Sequence, residues 1–386
     1  MKISKFVKLN NQRTVLLFAK SIDGGTGSFV EGLQNLKSLG FEVETIVLEK
    51  PSGRKKISYT YIKAHPAKFY PSRYRFSLRH SQTFLKEIKW YRSKIEMYKP
   101  DVVVSMDVHC NLIATIARYF LRIQTKLILT THINLKNTID DKSSHLLRFL
   151  IHLGISQFYK KADLNVYSSE RMRNSFKELY GISLNSKVIA YGVVPFSNQK
   201  STHHGSIIKI MSIGRLVEQK DFFTLINAFD EVFRKFPNVS LDIIGDGPLK
   251  KRLAKFIHTK KSSHRITLLG WKQNTPNWIE KADIFVLTSK REGFPYVLLE
   301  ALSVGRPIIS TDAPFGPAEI LSNGKYGILV AVGNVRELAK QISSLVSSSR
   351  ERLKYQKKAK ERAGFFSQEK MLKAYASAIS QVLNQQ

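Results

Sequence analysis

A chain of 386 residues has room for about two or three domains, and its 43 % hydrophobic and 24 % charged residues exclude a disordered tail protein, a fibre and a disulfide-stapled miniprotein. Lys and Arg number 62 against 30 Asp and Glu, so the formal net charge is +32. This excess predicts an anionic partner, such as nucleic acid, an anionic membrane surface or a phosphorylated substrate.

Short apolar runs alternate with helical patterns in the first half, which predicts a parallel sheet covered by helices. The first strand, Thr14–Lys20, leads into a glycine turn, Gly24–Gly27. A helix follows over Ser28–Leu39, and another is predicted over Asn111–Phe120. The other strands predicted here are Phe41–Leu48, Asp101–Met106, Lys126–His132, Ala162–Ser169 and Lys187–Val193.

The alternation restarts after a polar stretch without periodicity, residues 196–205, which we interpret as an interdomain linker. A helix is predicted over Phe222–Phe236 and another after Pro248. The strands predicted in this half are Ile207–Gly214, Val239–Gly245, Ile266–Gly270, Ala282–Thr288, Pro307–Thr311 and Gly327–Val330. The sequence therefore predicts the α/β class, with two doubly wound, Rossmann-like parallel sheets facing across a cleft.

The domain boundaries follow from the same pattern. We expect an N-terminal domain over residues 1–195 and a C-terminal domain over 206–365. We expect a C-terminal helix at about 366–386 to pack back on the first domain.

The single cysteine, Cys110, can form no internal disulfide, and no set of Cys and His residues has the spacing of a zinc site. No apolar stretch is as long as the core of a signal peptide or a membrane span. A cytoplasmic protein is predicted.

Ligands of open parallel sheets bind beyond the carboxyl ends of the strands, so the segment after the first strand is a candidate site. Its residues are Gly24, Gly25, Thr26 and Gly27. Small residues there let a phosphate approach amides at a helix N-terminus. A simple tight turn explains the segment equally well.

A second candidate follows the first strand of the C-terminal half. Arg215 and Lys220 lie on a loop that turns into a helix, so both can converge on one phosphate group. A guanidinium fork with an ammonium group suits a diphosphate.

Two carboxylates lie in the segment that follows the strand ending at Thr288. Pro295 fits the first helical position and Gly305 the C-terminal stop, so Glu292 is predicted in the loop and Glu300 within the helix. Apolar residues surround Glu300 in the sequence, so a polar group must meet its carboxylate. The amides of Gly293 and Phe294, beside the helix N-terminus, offer a further seat for phosphate.

These residues resemble the family 4 retaining glycosyltransferases of the GT-B fold, in particular those of bacterial polysaccharide and lipid-linked glycan synthesis. The E-x7-E element is Glu292 to Glu300, and the G-R-L-x-x-x-K element runs from Gly214 to Lys220. IIGDGPLKKRL, ITLLGW and GPAEIL follow the family's order and spacing. In the first half, the resemblance rests on the glycine segment and the general organisation.

The resemblance implies a donor-binding C-terminal domain. Arg215 and Lys220 would hold the diphosphate of a nucleotide-sugar, with the amides of Gly293 and Phe294 beside it. In the N-terminal, acceptor-binding domain, Gly24–Gly27 would form the acceptor and phosphate loop.

The same resemblance implies that Glu292 is catalytic, facing the donor sugar near the reacting carbon, and that Glu300 binds the ribose hydroxyls. Gly270, Trp271 and Lys272 would lie near the base. The family's cleft histidine, which contacts the donor sugar, corresponds to His132. His109 is a rival for that role, and Asp107 and Asn111 are further acceptor candidates.

The predicted reaction is the retaining transfer of a sugar from a nucleotide-sugar to a hydroxyl of a glycan or lipid-phosphate-linked acceptor. Because cations and a helix N-terminus neutralise the leaving diphosphate, we expect no obligatory metal and no other cofactor. UDP is favoured as the nucleotide, and GDP stays open. A GT-B-type sugar-nucleotide epimerase and a basic RNA-binding protein are the alternatives.

A basic region with interleaved aromatic residues spans 54–99. It suits an anionic lipid surface, and it suits RNA by stacking and phosphate contacts. With a glycosyltransferase and a lipid-linked acceptor, we expect peripheral association with the inner face of the membrane and no nucleic-acid partner.

Overall fold

The computed structural model describes residues 12–50, 58–61, 78–132, 145–181, 185–196 and 206–385. The chain divides into two compact units. The first comprises Met1–Ala190 together with Met371–Gln386, and the second comprises Tyr191–Lys370. The predicted linker at 196–205 lies outside the described residues apart from its first position.

The first unit is built on a seven-stranded parallel sheet of order β3-β2-β1-β4-β5-β6-β7. The strands are β1 (Thr14–Ala19), β2 (Glu42–Val47), β3 (Thr60–Tyr61), β4 (Val102–Met106), β5 (Lys126–Thr131), β6 (Leu164–Tyr167) and β7 (Ser186–Val188). Helices cover the sheet, so the central strands are buried along their whole length and their sequences are almost continuously apolar.

Six α-helices of this unit fall within the described residues. They are α1 (Gly24–Leu33), α2 (Leu78–Tyr98), α3 (Val108–Phe120), α4 (His145–Phe158), α5 (Glu170–Tyr180) and, at the end of the chain, α13 (Gln368–Asn384), most of which lies in this unit. The Tyr375 ring of α13 lies 5.8 Å from that of Phe29, and Lys126 Nζ donates to the carbonyl of Gln385 at 2.7 Å. These contacts attach the last helix to α1 and to the start of β5.

The second unit has a six-stranded parallel sheet of order β10-β9-β8-β11-β12-β13. The strands are β8 (Ile208–Ile213), β9 (Val239–Ile244), β10 (Ile266–Gly270), β11 (Ile284–Leu287), β12 (Ile308–Thr311) and β13 (Ile328–Val330). The helices are α6 (Phe222–Lys235), α7 (Lys250–His258), α8 (Thr275–Ile279), α9 (Tyr296–Val304), α10 (Gly316–Ile320), α11 (Val335–Ser347) and α12 (Ser349–Ala363). Both sheets confirm the predicted fold class.

Each sheet has a point where the strand order reverses, and this point positions the candidate site. In the first sheet it lies between β1 and β4, and in the second between β8 and β11. Crossover connections leave in opposite directions there, so a crevice opens beyond the carboxyl ends of the two strands. The loops after β8 and β11 carry the second unit's candidate residues.

Three local predictions were wrong. The segment Gly24–Gly27 is the first turn of α1 rather than a loop, and the residues expected to end that helix, Gln34–Leu39, form a 3-10 helix. The strand expected over Lys187–Val193 ends at Val188. Helices α2, α4, α5, α8, α10 and α11 were not predicted. Among the described residues, no helix combines the length and apolarity needed to cross a bilayer.

Candidate active site

The two carboxylates of the E-x7-E element lie where the sequence predicted them. Glu292 is in the loop between β11 and α9, and Glu300 is inside α9. The helix begins at Tyr296, one position after the predicted start, with Pro295 at the N-cap, and no side chain caps its first amides. Gly305 ends it in the left-handed conformation, with φ of 73°.

Glu292 is buried, with 7 % of its surface exposed, and its carboxylate has two partners. Ser289 Oγ donates to Glu292 Oε1 at 2.6 Å, and the Lys220 ammonium forms an ion pair with the same oxygen. A buried carboxylate is tolerated because a cation and a hydroxyl both satisfy it. The predicted diphosphate-binding lysine and the predicted catalytic glutamate are therefore in direct contact.

Several hydrogen bonds hold the loop after β8 against the loop after β11. Thr288 Oγ1 donates to the Lys220 carbonyl at 2.9 Å, and the Lys290 amide donates to the Gln219 carbonyl at 2.8 Å. In return, Gln219 Nε2 donates to the Arg291 carbonyl at 2.8 Å. Because each of these hydrogen bonds involves a backbone atom, the two loops hold Lys220 and Glu292 in a fixed relative position.

Arg215 lies on the same loop and is exposed. Within the described part of the chain, its guanidinium has no hydrogen-bond or ion-pair partner. The loop is backed by Gly245, where a Cβ atom would lie 1.9 Å from the Gly214 carbonyl oxygen, so only glycine fits. The amide of Leu216 donates to the carbonyl of Asp246 at 2.9 Å, which fixes the arginine's backbone.

Glu300 is half-buried among apolar neighbours, and Thr275 Oγ1 donates to its Oε1 at 2.8 Å. Burial raises the pKa of the Glu300 carboxyl to about 7, and the Thr275 hydrogen bond offsets only part of this effect. Thr275 is thus the polar group that the sequence required. It begins α8, which follows the predicted base region closely.

The three residues of the predicted base region differ in exposure. Gly270 adopts φ of 71° at the end of β10 and its carbonyl accepts from the Gly245 amide at 2.9 Å. Trp271 is 61 % exposed, and the Lys272 ammonium lies 5.1 Å from the centre of the Trp278 ring. The exposed indole follows β10, which β9 separates from β8 and its arginine loop, and it offers a stacking surface for a planar ring.

The contacts of Phe294 and Tyr296 determine which atoms at the start of α9 are available to a ligand. The Phe294 side chain is buried against the rings of Tyr191 and Phe366, with centroids 5.5 and 5.8 Å away. Only its backbone is available to a ligand. Tyr296 OH donates to the Gly192 carbonyl at 3.0 Å, which anchors the first residue of α9.

In the first unit, the glycine segment shows why small residues are needed. At Gly27 a Cβ atom would lie 2.1 Å from the Ile22 carbonyl oxygen, so the helix can turn away from β1 only with glycine there. Gly24 and Gly25 are exposed, Thr26 is half-buried, and Asp23 at the N-cap makes no side-chain cap. The predicted phosphate loop is therefore an exposed, uncapped helix N-terminus.

His132 follows β5, as predicted, and its environment fixes its chemical state. Thr130 Oγ1 donates to the Ser105 carbonyl at 3.1 Å, so the 2.7 Å contact between Thr130 Oγ1 and His132 Nε2 has the imidazole as donor. Burial lowers the pKa of His132 to about 3. At neutral pH the ring is uncharged, with its acceptor nitrogen at Nδ1. It packs edge-on against Phe29, 4.8 Å between centroids.

The other candidates after β4 have separate environments. His109 Nε2 contacts the buried Glu87 carboxylate at 2.8 Å. Asn111 is fully buried and its amide group donates to the Thr130 carbonyl, so the expected acceptor contact is not supported. Asp107 adopts φ of 70°, unusual for a residue with a side chain, and burial raises the pKa of its carboxyl to about 6.

Both halves of the chain match glycosyltransferase families. A family model described as Glycosyl transferases group 1 matches residues 193–362, and one described as Glycosyltransferase Family 4 matches residues 23–195. The chain is a glycosyltransferase with the GT-B fold.

Two relatives and one solved structure illustrate the similarity. An uncharacterised glycosyltransferase of Methanocaldococcus jannaschii is 30 % identical over 264 residues, 61 % of this chain and 64 % of the relative, so less than two thirds of that protein is spanned. The N-acetylgalactosamine-N,N'-diacetylbacillosaminyl-diphospho-undecaprenol 4-alpha-N-acetylgalactosaminyltransferase of Campylobacter jejuni is 29 % identical over 68 % of this chain and 71 % of its own. The Anabaena protein HepE in complex with UDP and glucose superposes with a TM-score of 0.75 at 18 % identity, over 96 % of this chain and all (100 %) of that one, a likeness that shows the fold.

Sequence reasoning missed the residues that position the glycosyltransferase's predicted groups. These are Ser289, Thr275, Thr288 and Gln219. Small polar residues directly after a buried strand were the available signal for Thr288 and Ser289, since strand ends face the crevice. Thr275 and Gln219 carry no comparable signal.

Within the described residues, no group of three or more His, Cys, Asp or Glu side chains could hold a metal ion. The metal-free reaction remains a prediction.

Proposed function

We propose that this glycosyltransferase moves a sugar from a nucleoside-diphosphate sugar, with UDP favoured over GDP, to a hydroxyl of a glycan or lipid-linked acceptor, with retention of anomeric configuration. The observation that carries the proposal is the arrangement after β8 and β11. Two loops that are hydrogen-bonded together carry Arg215, which has no side-chain partner among the described residues, the Lys220–Glu292 pair and the start of α9, which no side chain caps.

The diphosphate is the group this arrangement suits best. A leaving diphosphate needs positive charge that is in place before the bond breaks. Arg215 supplies a fork of donors that no other described residue occupies, and the amides of Gly293 and Phe294 precede a helix N-terminus. Lys220 can be shared between the phosphate and Glu292. We assign these four residues to the diphosphate.

Glu292 and His132 are the proposed catalytic residues. Ser289 and Lys220 hold the Glu292 carboxylate in one orientation, which suits a group that faces the donor sugar at the reacting carbon. The neutral His132 can accept a hydrogen bond from a sugar hydroxyl but carries no charge at neutral pH. Its proposed role is therefore to orient the sugar.

The nucleoside is assigned to Glu300 and the segment after β10. A carboxylate accepts hydrogen bonds from two vicinal hydroxyls, as ribose presents them. The exposed Trp271, between Gly270 and Lys272, would stack on the base. UDP is favoured because it is common among the resembled enzymes, and the Anabaena HepE structure contains it.

The acceptor is assigned to the first unit. Gly24–Gly27 would bind its phosphate at the start of α1, and Asp107 would accept from a hydroxyl. The name of the Campylobacter relative includes a diphospho-undecaprenol carrier, which supports a lipid-linked acceptor. Such an acceptor places the enzyme in the cytoplasm at the inner membrane face, in cell-surface polysaccharide synthesis.

The basic-aromatic region, residues 54–99, is the first candidate for membrane contact. Only residues 58–61 and 78–99 of it are described, and in α2 the side chains of Lys86, Lys89 and Arg92 are exposed. A cationic helix surface is attracted to anionic lipid with a strength that falls as salt rises.

A thermal-shift screen of UDP, GDP and ADP with their sugars tests donor binding. We expect a uridine compound to raise the Tm, and Arg215→Ala to weaken binding about tenfold to a hundredfold, because it removes a charge-assisted contact. Arg350→Ala is the matched control, since Arg350 is also an exposed, unpaired arginine among the described residues of this unit. Equal binding by both variants would contradict the diphosphate assignment.

Transfer itself is measured as release of free nucleotide in the presence of a lipid-linked saccharide, with NMR of the product to read the anomeric configuration. We expect retention, and loss of transfer in Glu292→Gln with donor binding largely kept. An inverted product would contradict the proposed reaction.

A further inference from the structure

Large exposed apolar side chains gather on two helices of the first unit, α3 and α4. Protein surfaces that face only water rarely present several such side chains together. The residues and their exposed fractions are Tyr119 (55 %), Phe120 (66 %), Phe149 (62 %), Leu150 (39 %) and Leu153 (44 %). We call these five residues the α3–α4 face.

The helical geometry makes this face continuous. Phe149, Leu150 and Leu153 are spaced so that they share one side of α4. The row from Leu150 continues through Gly154 to Phe158, whose ring centroid lies 6.1 and 6.2 Å from those of Tyr119 and Phe120.

The two helices are also packed closely together. At Gly154, a Cβ atom would lie 3.1 Å from Leu112 Cδ2, so α4 lies directly against α3 at this point. The outer side of α4 and the end of α3 therefore form one surface rather than two separate patches.

Among the described residues, the exposed charges next to the face are positive. Neither helix contains an Asp or a Glu in its sequence. Lys160 and Lys161 follow α4, and Arg122 follows α3, and all three are exposed. The Lys161 ammonium lies 5.5 Å from the centre of the Tyr119 ring. Asp163, two residues after Lys161, is bound by Arg118.

We propose that the α3–α4 face docks on an anionic lipid bilayer. Aromatic and leucine side chains enter the boundary between headgroups and acyl chains, and lysine and arginine at the rim bind the lipid phosphates. The proposal deepens the membrane association of the proposed function and rests on it. It assigns the apolar contact to a surface outside the basic-aromatic region.

Flotation of the full chain with vesicles tests the face. The vesicles are phosphatidylcholine alone and an equal mixture of phosphatidylcholine and phosphatidylglycerol. We expect wild type to float with the mixture at low salt, and Phe149→Ser/Leu153→Ser to bind about tenfold more weakly, because two apolar side chains no longer leave water. Phe365→Ser is the control, since Phe365 is 55 % exposed in the second unit and lies beside Arg362 and Lys370.

A charge variant tests the rim. We expect Lys160→Glu/Lys161→Glu to lose the preference for the anionic mixture, and Lys340→Glu/Lys357→Glu, on exposed helical positions of the second unit, to keep it. If the apolar variant floats like wild type, or Phe365→Ser loses as much binding, the proposal is overturned.

Two further arms separate competing explanations. If Lys86→Glu/Lys89→Glu abolishes flotation while Phe149→Ser/Leu153→Ser does not change it, the contact belongs to the basic-aromatic region and the α3–α4 face is rejected. Binding of a single-stranded RNA oligonucleotide that the apolar variant loses, without any vesicle flotation, would also overturn the proposal. The UDP thermal shift is measured on each variant, so that failure of membrane docking and failure of donor binding are read independently.

Discussion

Glu300→Gln isolates the energetic cost of placing an ionisable group inside α9. The carboxyl of Glu300 is half-buried between apolar helix residues, receives one hydrogen bond from Thr275, and has a pKa raised from 4.5 to about 7 by burial. A glutamine keeps the shape and keeps a carbonyl oxygen for the Thr275 hydroxyl, but it has no proton to lose.

The sign of the pH effect follows from where the proton resides. Between pH 4.5 and about 7 the folded protein holds the Glu300 proton and the unfolded chain does not. The free energy of unfolding therefore falls as the pH rises through this window, and the contribution is constant above pH 7. A shift of this size is worth about 3 kcal/mol at 1.36 kcal/mol for each pKa unit.

Urea unfolding of wild type and Glu300→Gln over a pH series spanning this window measures the effect. Other titrating groups are common to both proteins and cancel in the difference. We expect the variant to gain about 3 kcal/mol over wild type between the acid and neutral ends. Glu231→Gln is the control, because Glu231 is exposed on α6, and its curve should run parallel to wild type. A parallel curve for Glu300→Gln would refute the reasoning.

The same carboxyl gives a ligand-dependent outcome. Ribose hydroxyls donate hydrogen bonds to a carboxylate, so nucleotide binding should lower the pKa of Glu300 and release a proton below pH 7. Wild-type affinity for a UDP-sugar, whose diphosphate has no terminal phosphate that titrates in this range, is then expected to rise with pH up to this value. In Glu300→Gln the affinity for the UDP-sugar should be weaker and nearly independent of pH over the same range.

Two more substitutions test the frame around the site. Lys220→Met leaves the buried Glu292 carboxylate with only the Ser289 hydroxyl as a partner, so we expect the free energy of unfolding in urea to fall by about 3 kcal/mol. Adding Glu292→Gln to this variant should largely recover the loss. If the double variant stays as unstable as Lys220→Met, the ion pair is not the cause. Gly245→Ala puts a Cβ 1.9 Å from the Gly214 carbonyl oxygen, so we expect a loss of about 2 kcal/mol and no UDP thermal shift, whereas an undiminished shift would count against the loop's role.

The fold was predictable because the local signals agree with the tertiary structure. Buried parallel strands such as Val102–Met106, which follows Pro100, are short and largely apolar runs, and α9 has a proline before it and Gly305 after it. The glycine segment Gly24–Gly27 misled the prediction, because glycine has low helix propensity. The constraint that requires Gly27 is a clash with the Ile22 carbonyl, which arises only once the chain turns from β1 into α1.

Only the charged motif residues of the site were predictable from the sequence. Lys220, Glu292 and Glu300 stand in recognisable spacings, whereas Ser289 and Thr275 act through contacts that form only when separate loops meet. The sequence therefore predicts the charged groups, and the structure adds the residues that hydrogen-bond to them.

Those partners bear on how a donor would be accommodated. The Lys220–Glu292 pair carries no net charge, so positive potential for a diphosphate comes from other groups of these loops, among them Arg215, the exposed Lys290 and the start of α9. A diphosphate arriving there would draw Lys220 toward itself and weaken its hold on Glu292, while the 2.6 Å bond from Ser289 would still fix the carboxylate. On this reasoning Ser289→Ala should impair transfer more than donor binding, because the hydroxyl matters most once the lysine is shared.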